Sequence, residues 1–261
     1  MQPLAYTTAK ISWKLLTSAI SRAQASSGDI ERIDLNLEAL SSIVLSCVAL
    51  EAFVNEISSL SNAFLFNFEQ EGETRYLEIA EQESIIGVGR RKCEEVAKIK
   101  DSKEDSFYER YKLLLKKLNI KKPSFLQRIY YMKEIRNGLV HFRMVDIPIV
   151  DDEDGVVRYA QTPPEVFSHL KNYSVKGRSI IASDGNDGSV EWTLRICTSA
   201  MAAWCIDLIL DAIIYVLDEI PNGSLKDFII KAYAARDKSF VHIFQKGKSE
   251  VELWINGLYS K

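Results

Sequence analysis

Leu40-Ser41-Ser42-Ile43-Val44-Leu45-Ser46-Cys47-Val48-Ala49-Leu50-Glu51-Ala52-Phe53-Val54-Asn55-Glu56-Ile57 repeats its apolar residues at steps of three and four. Leu40, Ile43, Val44, Cys47, Leu50, Val54 and Ile57 form the series, and Phe64 and Phe68 extend it. A step of three or four places side chains on one side of a 3.6-residue helix, whereas a strand would need strict alternation. The spacing predicts one long helix over 30–68, capped by Asp29 after the break Ser26-Ser27-Gly28-Asp29. A mainly α fold follows.

The same logic extends in both directions. Leu4, Ile11, Leu15 and Ala19 predict an N-terminal helix, and we set residues 1–29 apart as that element. Residues 74–119 read as a second helical region in two pieces, weakened by Gly87 and Gly89. A fresh start is expected at Ser106-Phe107-Tyr108-Glu109, which has capping-box spacing. Lys116, Lys117, Lys121 and Lys122 make its far end basic, complementing the helix dipole. Pro123-Ser124-Phe125-Leu126-Gln127 signals a third helix, capped by Ser124 and running towards Phe142.

Between these helices and the next, the character changes. Pro148, Pro163, Pro164 and the acidic turns Asp151-Asp152-Glu153-Asp154-Gly155 and Asp184-Gly185-Asn186-Asp187-Gly188 mark an insertion over 146–191. Small strands and one short helix near 165–170 are expected there. Neither turn has EF-hand spacing, and turn chemistry accounts for their aspartates. Residues 192–220 read as one further long helix, stopped by Pro221-Asn222-Gly223. The remainder, 221–261, reads as a helix over 224–235 and a terminal hairpin of 240–244 with 251–255 around Lys246-Gly247-Lys248.

Of the 261 residues, 47% are apolar and 26% charged, ordinary values for a folded water-soluble protein. The net charge of -3 excludes global attraction to nucleic acid, so any such contact needs a local basic patch. Cys47, Cys93, Cys197 and Cys205 include no C-x-x-C pair, which argues against structural zinc and a disulfide framework. Residues 1–14 hold no long apolar run, and a cytoplasmic location is expected. Ala200 to Leu217 resembles a membrane span in composition. Asp207 and Asp211 interrupt it and recur with Asp218 on one face, so a buried helix with a polar edge, and no membrane partner, is the expectation.

The chemistry lies in Lys133-Glu134-Ile135-Arg136-Asn137-Gly138-Leu139-Val140-His141. Arginine holds phosphate bidentately, and histidine moves protons near neutral pH. Asn137 and His141 are four apart and share a helix face, whereas Arg136 and His141 are five apart, about 140° around a regular helix. They converge only if the helix relaxes at Gly138, or if a two-fold partner brings a second copy of each to one cleft. RNA cleavage suits that set. The 2'-hydroxyl attacks the phosphate, a base takes its proton, an acid protonates the leaving 5'-oxygen, and arginine stabilises the phosphate oxygens. Against this stands a plain structural role, with Arg136 capping a helix end or pairing Glu134 and His141 satisfied in the core.

Arg136-Asn137-Gly138-Leu139-Val140-His141 resembles the R-x4-6-H signature of the HEPN family (higher eukaryotes and prokaryotes nucleotide-binding), including a polar residue directly after the arginine. Ala49-Leu50-Glu51-Ala52-Phe53-Val54-Asn55-Glu56-Ile57 is similar to the family's first long helix. The resemblance covers 30–145 and 192–220. It implies a four-helix up-and-down bundle that forms a homodimer, with Arg136, Asn137 and His141 catalytic at the dimer cleft. Glu51, Asn55 and Glu56 would line that cleft. It further implies a metal-independent endoribonuclease without cofactor, acting on RNA as a toxin or phage-defence effector, with an antitoxin or regulatory protein as a further partner. The alternative is a non-catalytic HEPN-like module that binds a nucleotide or a protein and serves dimerisation.

Overall fold

The computed structural model describes residues 11–26, 36–70, 90–104, 106–140, 148–149, 158–159, 164–183, 192–234 and 243–258. It is mainly helical. Its axis is the long helix that the apolar spacing predicts, α2 (Leu37–Gln70). This helix starts later than residue 30, because the Asn36 side chain accepts the Ala39 N–H at 3.0 Å and caps it there. The expected cap, Asp29, lies outside the described residues.

Helix α1 (Ile11–Ser26) runs antiparallel along α2. Ser12 meets Glu56, Ala19 meets Ser42 and Arg22 meets Glu38. Small buried side chains, Ala19, Ala23, Ala39, Ser42 and Ser46, let the two backbones approach, and the Ser42 hydroxyl donates to the Ala19 carbonyl at 2.8 Å. Helix α3 (Arg90–Ala97) docks through Ser58, which donates to the Ala97 carbonyl at 2.7 Å and accepts from the Lys100 N–H at 3.2 Å.

Helix α4 (Phe107–Lys117) opens where the capping box predicts, with the Ser106 oxygen accepting the Glu109 N–H. It closes at Asn119, whose φ of 57° lets Ile120 donate to the Leu115 carbonyl at 2.8 Å. Helix α5 (Leu126–Val140) carries the Arg136–Asn137 pair in its last turn.

The insertion has the expected character. Strand β1 (Pro148–Ile149) pairs antiparallel with β2 (Arg158–Tyr159), and the short helix α6 (Phe167–Leu170) follows. Strands β3 (Ser174–Val175) and β4 (Arg178–Ser179) pair across Lys176-Gly177. Both turn residues have positive φ, 49° and 81°, which fits a two-residue hairpin turn to the strands' own twist. The two Asp-rich turns of the insertion lie outside the described residues.

Two expectations need correction. Residues 192–220 are not one helix but α7 (Trp192–Ile196) and α8 (Ser199–Glu219). Thr198 divides them: its backbone is extended and its side-chain oxygen accepts the Met201 N–H at 3.0 Å, capping α8. After α9 (Ser224–Tyr233), the C-terminal hairpin is instead a helix, α10 (Ile243–Leu258). Phe244, Val251 and Ile255 are buried at helical spacing. Gly247, read as a turn residue, faces α1: a Cβ there would sit 2.5 Å from the Trp13 ring, so this glycine serves close packing.

Among the described residues two helices, α2 and α8, are long and apolar enough to cross a membrane, and much of each is buried inside the fold. The polar edge of α8 is covered by α10. Lys248 pairs with Asp211 and lies 3.4 Å from Asp207. Phe53 of α2, Tyr233 of α9 and Phe244 of α10 close the core, with ring centroids 5.3–6.1 Å apart.

Candidate functional site

Helix α5 inserts Ile129, Met132 and Ile135 into the core. Arg136 follows Ile135 and lies half-buried at the margin of that inward face. Its Nη1 donates to the Asn137 Oδ1 at 3.2 Å, so the amide of the motif steadies the guanidinium. Arg136 lies near enough to α2 for its charge to act on Cys47. Burial pushes the Cys47 thiol up to about 12; the Arg136 charge is the strongest influence pulling it down, and the Glu51 charge adds to the rise. His141 lies outside the described residues.

Gly138 does not loosen the helix, which continues regularly to Val140. A Cβ on it would sit 2.9 Å from the Trp192 ring and 3.1 Å from Pro164 Cγ. The motif glycine therefore admits α7 and the start of α6's segment against the back of α5. Trp192 is buried, and its Nε1–H has no partner among the described residues.

On α2, Cys47, Glu51 and Asn55 recur every four residues and share one face. Glu51 is half-exposed and lies 3.4 Å from Arg110 Nη1 of α4. Arg110 also donates from Nε to the Glu104 carbonyl at 3.0 Å. One turn further, the Asn55 Oδ1 is buried with no hydrogen-bond partner among the described residues. Arg110 carries no motif of its own and was invisible to sequence reasoning, because 59 residues separate it from Glu51.

Glu56, expected beside these residues, is turned the other way. It is buried, accepts from the Ser12 N–H at 2.8 Å and the Ser12 hydroxyl at 2.6 Å, and accepts from the Tyr233 hydroxyl at 2.7 Å. A five-residue step from Glu51 carries it about 140° around the helix, away from α5. It ties α1 and α9 to α2. Burial, then the Glu56 charge, holds the Tyr233 hydroxyl well above its ordinary range.

All four cysteines are buried, and none forms a disulfide. Burial pushes Cys205 well up, and Cys93 up to about 11, so these thiols stay protonated at neutral pH. Among the described residues no group of three or more His, Cys, Asp or Glu side chains is arranged to hold a metal ion. What the arrangement offers is one cation, Arg136 with its amide on α5, beside an ion pair, Arg110 with Glu51, between α4 and α2.

No family model matches the chain, and neither a curated protein nor a solved structure matches it.

Proposed function

We propose that the chain is a metal-independent endoribonuclease of the HEPN type, built on a four-helix up-and-down bundle that pairs with a second copy of itself. In this reading it acts as a toxin or phage-defence effector. The observation that carries it is Arg136: a half-buried guanidinium at the inward edge of α5, steadied by Asn137 and near enough to α2 for its charge to act on Cys47. A half-buried arginine whose neighbouring amide steadies it is suited to hold a phosphodiester and to stabilise charge that grows on its oxygens. His141, five residues on, supplies the proton transfers. One copy takes the 2'-hydroxyl proton and the partner's copy protonates the leaving 5'-oxygen. Asn137 fixes the arginine, and Glu51 and Asn55 line the α2 side.

The test is cleavage of host RNA by the purified protein in EDTA, with products analysed for 2',3'-cyclic phosphate ends. The expected result is cleavage by the wild type that is lost in Arg136→Ala and His141→Ala. An intact dimer that leaves all host RNA uncut contradicts the proposal. Expression in cells gives a second readout, with growth arrest by the wild type and none by His141→Ala.

A further inference from the structure

A row of rings and cations joins α4 to α5 on the exposed side. The Tyr108 and Tyr130 rings meet edge to face at 5.5 Å. Lys112 lies over Tyr108 at 5.0 Å, and Lys133 lies over Tyr130 at 5.4 Å. All four residues are half-buried, and both tyrosines also pack against the core. On α5, Tyr130, Lys133 and Asn137 are spaced three and four apart and share one face. The row thus leads along the helix straight to the Arg136–Asn137 pair.

We propose that this row is a single-stranded RNA track that feeds the phosphate-holding end of α5. The proposal rests on the RNA-cleaving reading and names how its substrate is held. Tyrosine faces stack bases whatever their identity, and the interleaved ammonium groups follow the phosphates. The lysines are at present paired with Glu109 at 2.8 Å and Glu134 at 2.6 Å. Both pairs are open to water, where such contacts are weak, so a phosphodiester competes for the same ammonium groups. With a net charge of -3, the protein needs such a local track rather than global attraction.

The probe is a fluorescein-labelled single strand of roughly twelve nucleotides, a length that covers a typical single-strand site, methylated on every 2'-oxygen so that binding is read without cleavage. Tyr130→Ala should weaken binding about tenfold or more, with Tyr130→Phe close to wild type. Lys133→Ala should lower the slope of log affinity against log salt by about 0.7. A duplex of the same sequence should bind more weakly. Unchanged affinity in a Tyr130→Ala protein of unchanged melting temperature overturns the track. So does equal binding of the duplex, or a Tyr130→Ala shift in sedimentation mass without RNA, which would make the row a contact between copies. Should Tyr130→Ala fail to fold, an unchanged salt slope in Lys133→Ala overturns it. Binding of the blocked strand without cleavage of an unblocked one leaves the track standing and sinks the nuclease. Cleavage with an unchanged KM in Tyr130→Ala does the reverse.

Discussion

Glu51 and Glu56 sit five residues apart on the same helix and live in opposite environments. Glu56 is sealed, its oxygens taking three donors from Ser12 and Tyr233. Glu51 is half-open, with one guanidinium at 3.4 Å and an unpartnered amide oxygen, that of Asn55, one turn away. A carboxylate whose acceptor sites are filled by the fold has nothing left for a ligand. One held loosely by a single arginine can release that arginine to a phosphate. The difference separates the structural side of α2 from the side available for chemistry.

Removing the sealed carboxylate gives the largest expected effect. Glu56→Ala leaves three buried donors unpaired, and stability in urea should fall by roughly 3–4 kcal/mol. A loss below about 1 kcal/mol would show that water reaches the network. Next comes the back wall of the open side. Gly138→Ala forces a methyl group against Trp192 and Pro164 and should cost about 1–3 kcal/mol.

Lys248→Met probes the partly exposed edge of α8 and should cost about 1 kcal/mol at pH 7. Its pH dependence has a defined sign. Burial already raises the Asp207 carboxyl, and Lys248 is the strongest influence holding it down. Without the lysine the folded-state value climbs further above the unfolded value of about 4, so the charged carboxylate penalises the fold above that pH. The deficit should therefore shrink as the pH falls from 7 towards 4, as read by melts across that range. The smallest effect belongs to Glu51→Gln, within about 0.5 kcal/mol of wild type, since an exposed pair contributes little. A large loss there would erase the contrast with Glu56.

Much of this architecture is legible in local patterns. The apolar series Leu40 to Phe68, the capping box at Ser106 and the polar edge Asp207–Asp211 each depend on residues within a few turns of one another. What escaped depends on distant partners. Gly247 reads as a turn beside Lys246 and Lys248, yet it lies in a helix, where the absence of a side chain makes room for Trp13 from the other end of the chain. The very similar Lys176-Gly177 does turn: both φ values are positive, and a Cβ on its glycine would meet nothing within 4 Å among the described residues. Thr198 splits 192–220 because its hydroxyl both caps α8 and donates to the Ile180 carbonyl at 2.8 Å. At the site, the 140° separation of a five-residue step was readable, and it distinguishes Glu51 from Glu56. Arg110 and the Tyr108–Tyr130 contact come from different helices, and no local spacing announces them.

The most direct test of the account is to measure RNA cleavage and urea unfolding on the same preparation of Arg136→Ala. The account predicts a cleavage rate lower by at least about a hundredfold, the scale of losing a charge-stabilising group, with the unfolding midpoint close to wild type. A variant that unfolds early in proportion to its lost activity, or one that cleaves as fast as the wild type, would contradict it.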